Sequence, residues 1–287
     1  MKFNATVVTL TAVLFTAITS QTRAYVYPMF GGAQVEAPMI MPEIYFDGQG
    51  MLVLDEDEQP FLTMDWDHVP ILRPLDGDDA FDPTQPWAVL TDKAYNFQYG
   101  PDSALWDNYT HPFPASCEVW FKVLEQTPGL ETYYADSDPA HGYAQYAPLF
   151  GTAGSSPLWL WNKGMHHNAY AVPEGVYGRW SATYEVYVGD ALGAKLPTYE
   201  STTVTYRWLA PCPWILTGDI NSDCTVDFSD MQLMIAQWLN TCDGPDWCDN
   251  ADLTRTGEVN FIDFAKLAAN WLIDCQQAPL NTACIPR

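Results

Sequence analysis

Between Tyr25 and Ala210 several runs place apolar side chains at every second position. In Ser116–Leu124 this alternation puts Cys117, Val119, Phe121 and Val123 on one face. Trp180–Val188 repeats it, with Gly189-Asp190 as the following turn, and Thr202–Trp208 repeats it again. A period of two predicts strands buried on one side. Shorter runs of β-branched and aromatic residues extend the prediction to Met51–Leu54, Phe61–Trp66, Trp87–Leu90, Tyr95–Tyr99 and Leu158–Trp161, with Pro and Gly in the gaps. No helical period is sustained before Ala210. Residues 25–210 therefore read as one antiparallel β-sandwich, near the size of a single domain. Pro211-Cys212-Pro213 blocks further pairing, and 211–217 reads as a short linker.

Beyond the linker the pattern becomes a loop followed by a helix, twice. Asp219–Asp230 and Asp252–Asp263 align with every equivalent pair 33 residues apart, and both units close on Trp-Leu (Trp238-Leu239, Trp271-Leu272). A twelve-residue calcium loop supplies oxygens from positions 1, 3, 5, 7 and 12, with a water reached from position 9. Loop one offers Asp219, Asn221, Asp223, the Thr225 carbonyl, Asp227 through water, and Asp230. Loop two offers Asp252, Thr254, Thr256, the Glu258 carbonyl, Asn260 and Asp263. Hydroxyls at two of its positions lower its negative charge, so weaker calcium affinity is expected there. Position 6 favours positive φ; Gly257 suits it, whereas Cys224 needs support, such as a disulfide. The bland alternative for either loop is an acidic turn before a helix. The exact duplication favours calcium.

Charge narrows the partners. The chain carries a formal −24, which argues against nucleic acid and anionic membrane and favours calcium, a basic protein surface or neutral glycan. Asp55-Glu56-Asp57-Glu58 reads as a hairpin tip, and Asp76, Asp78, Asp79 and Asp82 as an acidic loop. Solvated charge is the plain reading of both, with a surface calcium site as the alternative. Residues 1–24 read as a secretory signal: Lys2, an apolar run from Val7 to Ile18, and Thr22-Arg23-Ala24 as the cleavage site. An extracellular, secreted or surface-associated protein is expected, and not an integral membrane protein. Export makes the seven cysteines disulfide candidates, six of them from Cys212 onward.

The duplicated loop-then-helix layout, with no helix ahead of loop one, resembles the type I dockerin family over Gly218 to about Asp274. That resemblance implies a half-EF-hand pair over 218–275 that folds with Ca2+ and binds a cohesin-like domain or cell-surface scaffold, followed by a tail over 276–287. It also implies that loop positions 10 and 11 meet the partner. These are Phe228 and Ser229 in one repeat and Phe261 and Ile262 in the other. Many dockerins carry hydroxyl pairs there and a Lys-Arg pair on the helix. This chain has Ile235-Ala236 and Ala268-Ala269 at the helical positions, so its partner surface is more apolar. Burial of both phenylalanines inside the module is the alternative. If the helices run antiparallel, Cys275 lies beside Cys224 and Cys242 beside Cys248, and Cys212 and Cys284 then close the two ends. Those three pairings are the expectation, with Cys117 left as a buried thiol.

The β-domain itself resembles no enzyme family. Its tryptophans include Trp159 and Trp161 on one face of a strand, a candidate sugar-stacking strip, with core filling as the alternative. Met165-His166-His167 and Asp65-Trp66-Asp67-His68 form a soft-metal site only if they meet in space. Asp65, Asp67, Glu118 and Glu185 are the acids available to a glycosidase. No triad signature, zinc helix, phosphate loop or dinucleotide fingerprint appears. The expectation is a secreted protein whose dockerin-like tail binds calcium and docks a β-sandwich binding or structural domain. A polysaccharide-degrading hydrolase or carbohydrate-binding module delivered by the same tail is the alternative.

Overall fold

The computed structural model describes residues 25–46, 52–55, 66, 68–103, 117–135 and 146–287. The expected signal segment, most of Phe61–Trp66, Trp106, Asp65, Asp67 and the acidic run 56–58 lie outside the described residues.

The strands in chain order are β1 (Glu43–Phe46), β2 (Leu52–Asp55), β3 (Lys93–Asn96), β4 (Glu118–Gln126), β5 (Glu131–Tyr133), β6 (Pro148–Leu149), β7 (Leu158–Trp161), β8 (Ala169–Pro173), β9 (Gly178–Gly189) and β10 (Thr202–Ala210). One four-stranded sheet runs β10-β9-β4-β7 and another β3-β8-β5-β6, while β1 and β2 form a separate pair. All of these pairings are antiparallel. The alternation expected in β4, β7, β9 and β10 is present. Val119, Phe121, Trp159, Trp161, Trp180, Tyr184, Val186, Tyr206 and Trp208 form one buried cluster with Ala94, Tyr170 and Val172 of the facing sheet. Tyr99 stacks on Tyr206 at 4.4 Å between ring centroids, and Tyr170 lies 4.5 Å from Trp208. Aromatic rings thus fill the space between the sheets, and a β-sandwich is what the burial requires.

Two expectations need correction here. Trp87–Leu90 is not a strand but the body of a 3-10 helix, Pro86–Leu90. Three residues per turn bring Trp87 and Leu90 onto one side, and both are buried. This segment covers the outer face of the β3-β8-β5-β6 sheet, packing with Tyr95, Phe97, Ala169 and Ala171. Trp159 and Trp161 do share a face, but it is the inner one. Trp159 is 7% exposed and Trp161 is fully buried, both against Phe121. They are core, not a sugar-binding strip.

The C-terminal module begins with β11 (Trp214–Ile215), which pairs antiparallel with β12 (Ile285–Pro286). Between them lie α1 (Phe228–Ala236) and α2 (Phe261–Ala269). The element directly ahead of loop one is the strand β11. The module rests on the start of β9: Arg179 Nη2 donates to the Asp249 carbonyl at 3.0 Å, and its guanidinium lies 4.8 Å from the centre of the Trp66 ring.

Replacing Trp208, fully buried among Tyr99, Tyr170 and Tyr206, with alanine is expected to cost about 3–5 kcal/mol. Leu192→Ala, at an exposed position, should be neutral. Urea unfolding followed by far-UV circular dichroism checks the contrast.

Candidate calcium-binding and docking module

Each loop is organised by its first and last carboxylates. Asp219 Oδ1 accepts from Asp223 N–H and Oδ2 from Cys224 N–H, both at 3.0 Å. Asp252 repeats this with Thr256 N–H at 3.1 Å and Gly257 N–H at 2.7 Å. At position 12, Asp230 accepts from the N–H groups of Ile220, Asn221 and Asp227. Asp263 accepts from the N–H and hydroxyl of Thr254 and from Asn260 N–H. Position 9 caps the helix: Asp227 accepts from Ser229 N–H at 2.7 Å, and Asn260 from Ile262 N–H at 2.9 Å. With position 12 bonding back to the cap, each helix starts on a complete capping box. One residue set thus closes the loop and nucleates the helix.

The two loops are also knitted to each other. Thr225 bridges Asp274, and Thr241 bridges Glu258. Val226 N–H donates to Ile273 O, and Leu272 N–H to Val226 O. The mirror bonds run from Val259 N–H to Asn240 O and from Leu239 N–H to Val259 O. Positions 7 and 8 of each repeat are therefore held by the residues that follow the other repeat's helix.

The donor set at positions 1, 3, 5, 9 and 12 of loop one is all oxygen, as hard calcium requires. Asn221 Nδ2 donates to Asp223 Oδ2 at 2.8 Å, which joins positions 3 and 5. Burial, with the neighbouring charges of Asp230 and Asp223, pushes the Asp219 carboxyl up to about 7. Burial raises Asp230 to about 6 against three N–H donors, and burial also raises Asp223. These crowded acids resist ionising together, which is the condition a divalent cation relieves. Among the described residues, no three His, Cys, Asp or Glu side chains converge as a preformed metal group. A loop of this kind takes amide, carbonyl and water oxygens as well, so such convergence is not a requirement. Loop two has less carboxylate crowding. In Asp263 the effect of burial is outweighed by the Asn260 and Thr254 donors, and its carboxyl lies below the usual range.

All six C-terminal cysteines are bonded, but two of the expected pairings are corrected. Cys242 joins Cys248 as expected, whereas Cys212 joins Cys224 and Cys275 joins Cys284. Cys275 does lie beside Cys224, with its N–H donating to the Cys224 carbonyl at 2.9 Å. Each sulfur of that neighbouring pair turns instead to the flanking segment. The ends of the module are joined by the β11–β12 ribbon, not by a Cys212–Cys284 bond. Cys117 is a buried free thiol.

Phe228 and Phe261 are not interior. They are 68% and 76% exposed, and Ser229 and Ile262 beside them are exposed too. Each phenylalanine stands edge-on to the tryptophan just beyond the other repeat's helix: Phe228 to Trp271 and Phe261 to Trp238, both at 5.1 Å. The sequence contains this signal, since both residue types recur at the repeat spacing, but the exchange of partners becomes visible only in the fold. Next to Phe261 is an apolar groove of about 350 Å³ lined by Met231, Met234, Ile235, Trp238, Phe261 and Phe264.

Among the described residues, the β-domain candidates do not assemble. His166 and His167 are buried; His167 Nδ1 faces the Phe97 carbonyl at 2.9 Å, and His166 lies against Tyr134 and Trp159. Glu118 pairs with Lys163 at 3.6 Å, and Glu185 accepts from Lys195 at 2.6 Å and Ser201 at 2.8 Å. The Lys195 bond, above all, holds the Glu185 carboxyl below the usual range. A carboxylate so engaged is a structural ion-pair partner.

Comparison with known families matches residues 217–270 to the dockerin type I domain. Comparison with curated proteins finds no match. The matched span covers both loops and both helices, and domains of this family bind Ca2+ through EF-hand-like loops and dock onto cohesin modules. The C-terminal module of this chain is a type I dockerin domain.

Proposed function

We propose that this is a secreted protein whose dockerin domain, loaded with calcium, attaches the β-sandwich to a cohesin-like partner or cell-surface scaffold. In loop one Asp219, Asn221, Asp223, the Thr225 carbonyl and Asp230 hold the ion, with Asp227 reached through water. In loop two the ligands are Asp252, Thr254, Thr256, the Glu258 carbonyl, Asn260 and Asp263. The observation that carries the docking role is the pair of exposed phenylalanines at loop position 10, propped on the opposite repeat's tryptophan. An apolar ring held on a rigid support loses little freedom on binding, which is what an anchor residue needs. Phe228, Ser229, Phe261 and Ile262 form the contact surface. The β-sandwich is the cargo, in a binding or structural role. Its buried Trp159 and Trp161 and its lysine-paired Glu118 and Glu185 support that role over hydrolysis. Export by residues 1–24 and the lack, among the described residues, of any helix long and apolar enough to cross a membrane fit a surface-docked protein.

The test is binding of the full chain to immobilised type I cohesin domains with calcium and with EDTA. Calcium-dependent capture is expected. Phe228→Ala with Phe261→Ala should weaken it at least ~100-fold while calcium titration stays unchanged. Capture that survives the double substitution overturns the proposed surface; calcium heat in neither loop overturns the ligand set.

A pH dependence follows as well. Asp219 and Asp230 hold protons near pH 7 and 6 in the calcium-free chain, and calcium must displace them. Affinity should rise from about pH 5 to about pH 8, with proton release seen by calorimetry in two buffers of different ionisation heat. Both carboxyls titrate above the unfolded value of ~3.9, so their contribution to calcium-free stability is complete below that value and lost as pH rises through about 7. The calcium-free module should therefore melt earlier at pH 8 than at pH 5, and calcium should reverse the order.

A further inference from the structure

The repeats part company at loop position 6. Gly257 holds φ +93° there in loop two, and Cys224 holds φ +76° in loop one. Glycine adopts this region freely, whereas a residue with a Cβ is strained in it. Both residues perform one task, since the position-6 N–H joins the position-5 N–H in holding the position-1 carboxylate, Asp252 in one loop and Asp219 in the other. What differs is the backing. Cys224 is fully buried and bonded to Cys212, with Cα atoms 5.3 Å apart, and Cys212 is itself fully buried between Pro211 and Pro213. Loop one is also braced by the β-domain. At Gly178 of β9 an added Cβ would lie 3.4 Å from Asp223 Cβ, so strand and loop are in close contact. Loop two contains no cysteine, and the Cys242–Cys248 bond lies wholly in the connector ahead of it.

We propose that the Cys212–Cys224 disulfide replaces the missing glycine: it holds the left-handed turn that aims Asp219, and loop one reaches full calcium affinity only once that bond has formed. This rests on the calcium ligation of loop one proposed above. Cys212 and Cys224 are positioning residues, since neither supplies an oxygen to the ion. The bond forms by thiol–disulfide exchange: the two thiols lose two protons and two electrons, and a protein disulfide of the oxidising compartment is reduced to two thiols. Calcium capture by loop one is thereby tied to export. In a reducing compartment only loop two has a turn ready for the ion, and the complete docking module is assembled after secretion.

The experiment uses the full chain carrying Asp252→Ala, so that calorimetry with calcium chloride reads loop one alone. The parent is compared with Cys212→Ser/Cys224→Ala and with Cys212→Ser/Cys224→Gly, each checked for an intact β-sandwich by circular dichroism. The alanine version should bind calcium about tenfold more weakly, and the glycine version should recover most of the loss, because glycine takes the turn unaided. Equal affinity in all three overturns the inference and leaves the ligation standing. A loss that glycine does not restore also overturns it, since the bond would then act as a tether and not as a turn-holder. No calcium heat in the parent overturns the ligation and the inference together. Should the alanine version fail to fold, the glycine version decides against the parent: affinity within about threefold supports the inference, and a tenfold loss overturns it.

Discussion

The exchange of backbone hydrogen bonds between the two loops is the constraint on which the dockerin module depends. Val226 and Val259, fully buried, each pair with the residues just beyond the other repeat's helix. A nine-residue helix is marginal alone in water, and α1 and α2 are each of that length. Neither repeat can therefore settle without its twin. The exchange fixes the loops, the loops cap the helices, and the helices present the phenylalanines. The same geometry sets Phe228 on Trp271 and Phe261 on Trp238.

Much of this was legible in the sequence because it repeats or alternates. Oxygen-bearing residues at matched spacing marked both calcium loops, and period-two runs marked β4, β7, β9 and β10. What escaped was information of another kind. β8 is buried on both faces, Tyr170 and Val172 toward one sheet and Ala169 and Ala171 toward the 3-10 cover, so its residues do not alternate. Alternation correctly put Trp159 and Trp161 on one face, but a period does not say which face of a sheet is inside. The cysteine pairing failed for a related reason. Cys224 and Cys275 are neighbours, as the repeat implied, yet the paths of β11 and β12 decide which sulfur each one meets. Those two-residue strands carry no periodic signal.

The joint between the domains shows how local chemistry serves the whole chain. β9 meets loop one at Gly178, Arg179 reaches the connector carbonyl of Asp249, and Gln237 Nε2 holds the Asp249 carboxylate at 3.2 Å. The β-domain is thus seated against the calcium loop that carries the greater carboxylate crowding. The helical face with Phe228, Phe261 and Ile235 stays exposed.

The position of Cys212 has a mechanical consequence. In the docked state proposed above, the partner would hold the helices while the β-sandwich drags on the linker. Force arriving through Ala210 and Pro211 meets Cys212 first and crosses the sulfur bridge directly into Cys224, in the middle of loop one. The covalent path thus bypasses the stretch from Pro213 to Asp223. Peeling the module open from its N-terminal end would then require breaking a covalent bond, so tension is borne by the loop's core and passed through the exchanged bridges to the second repeat. The chain is spliced to its anchor at the point where the anchor is most firmly knotted.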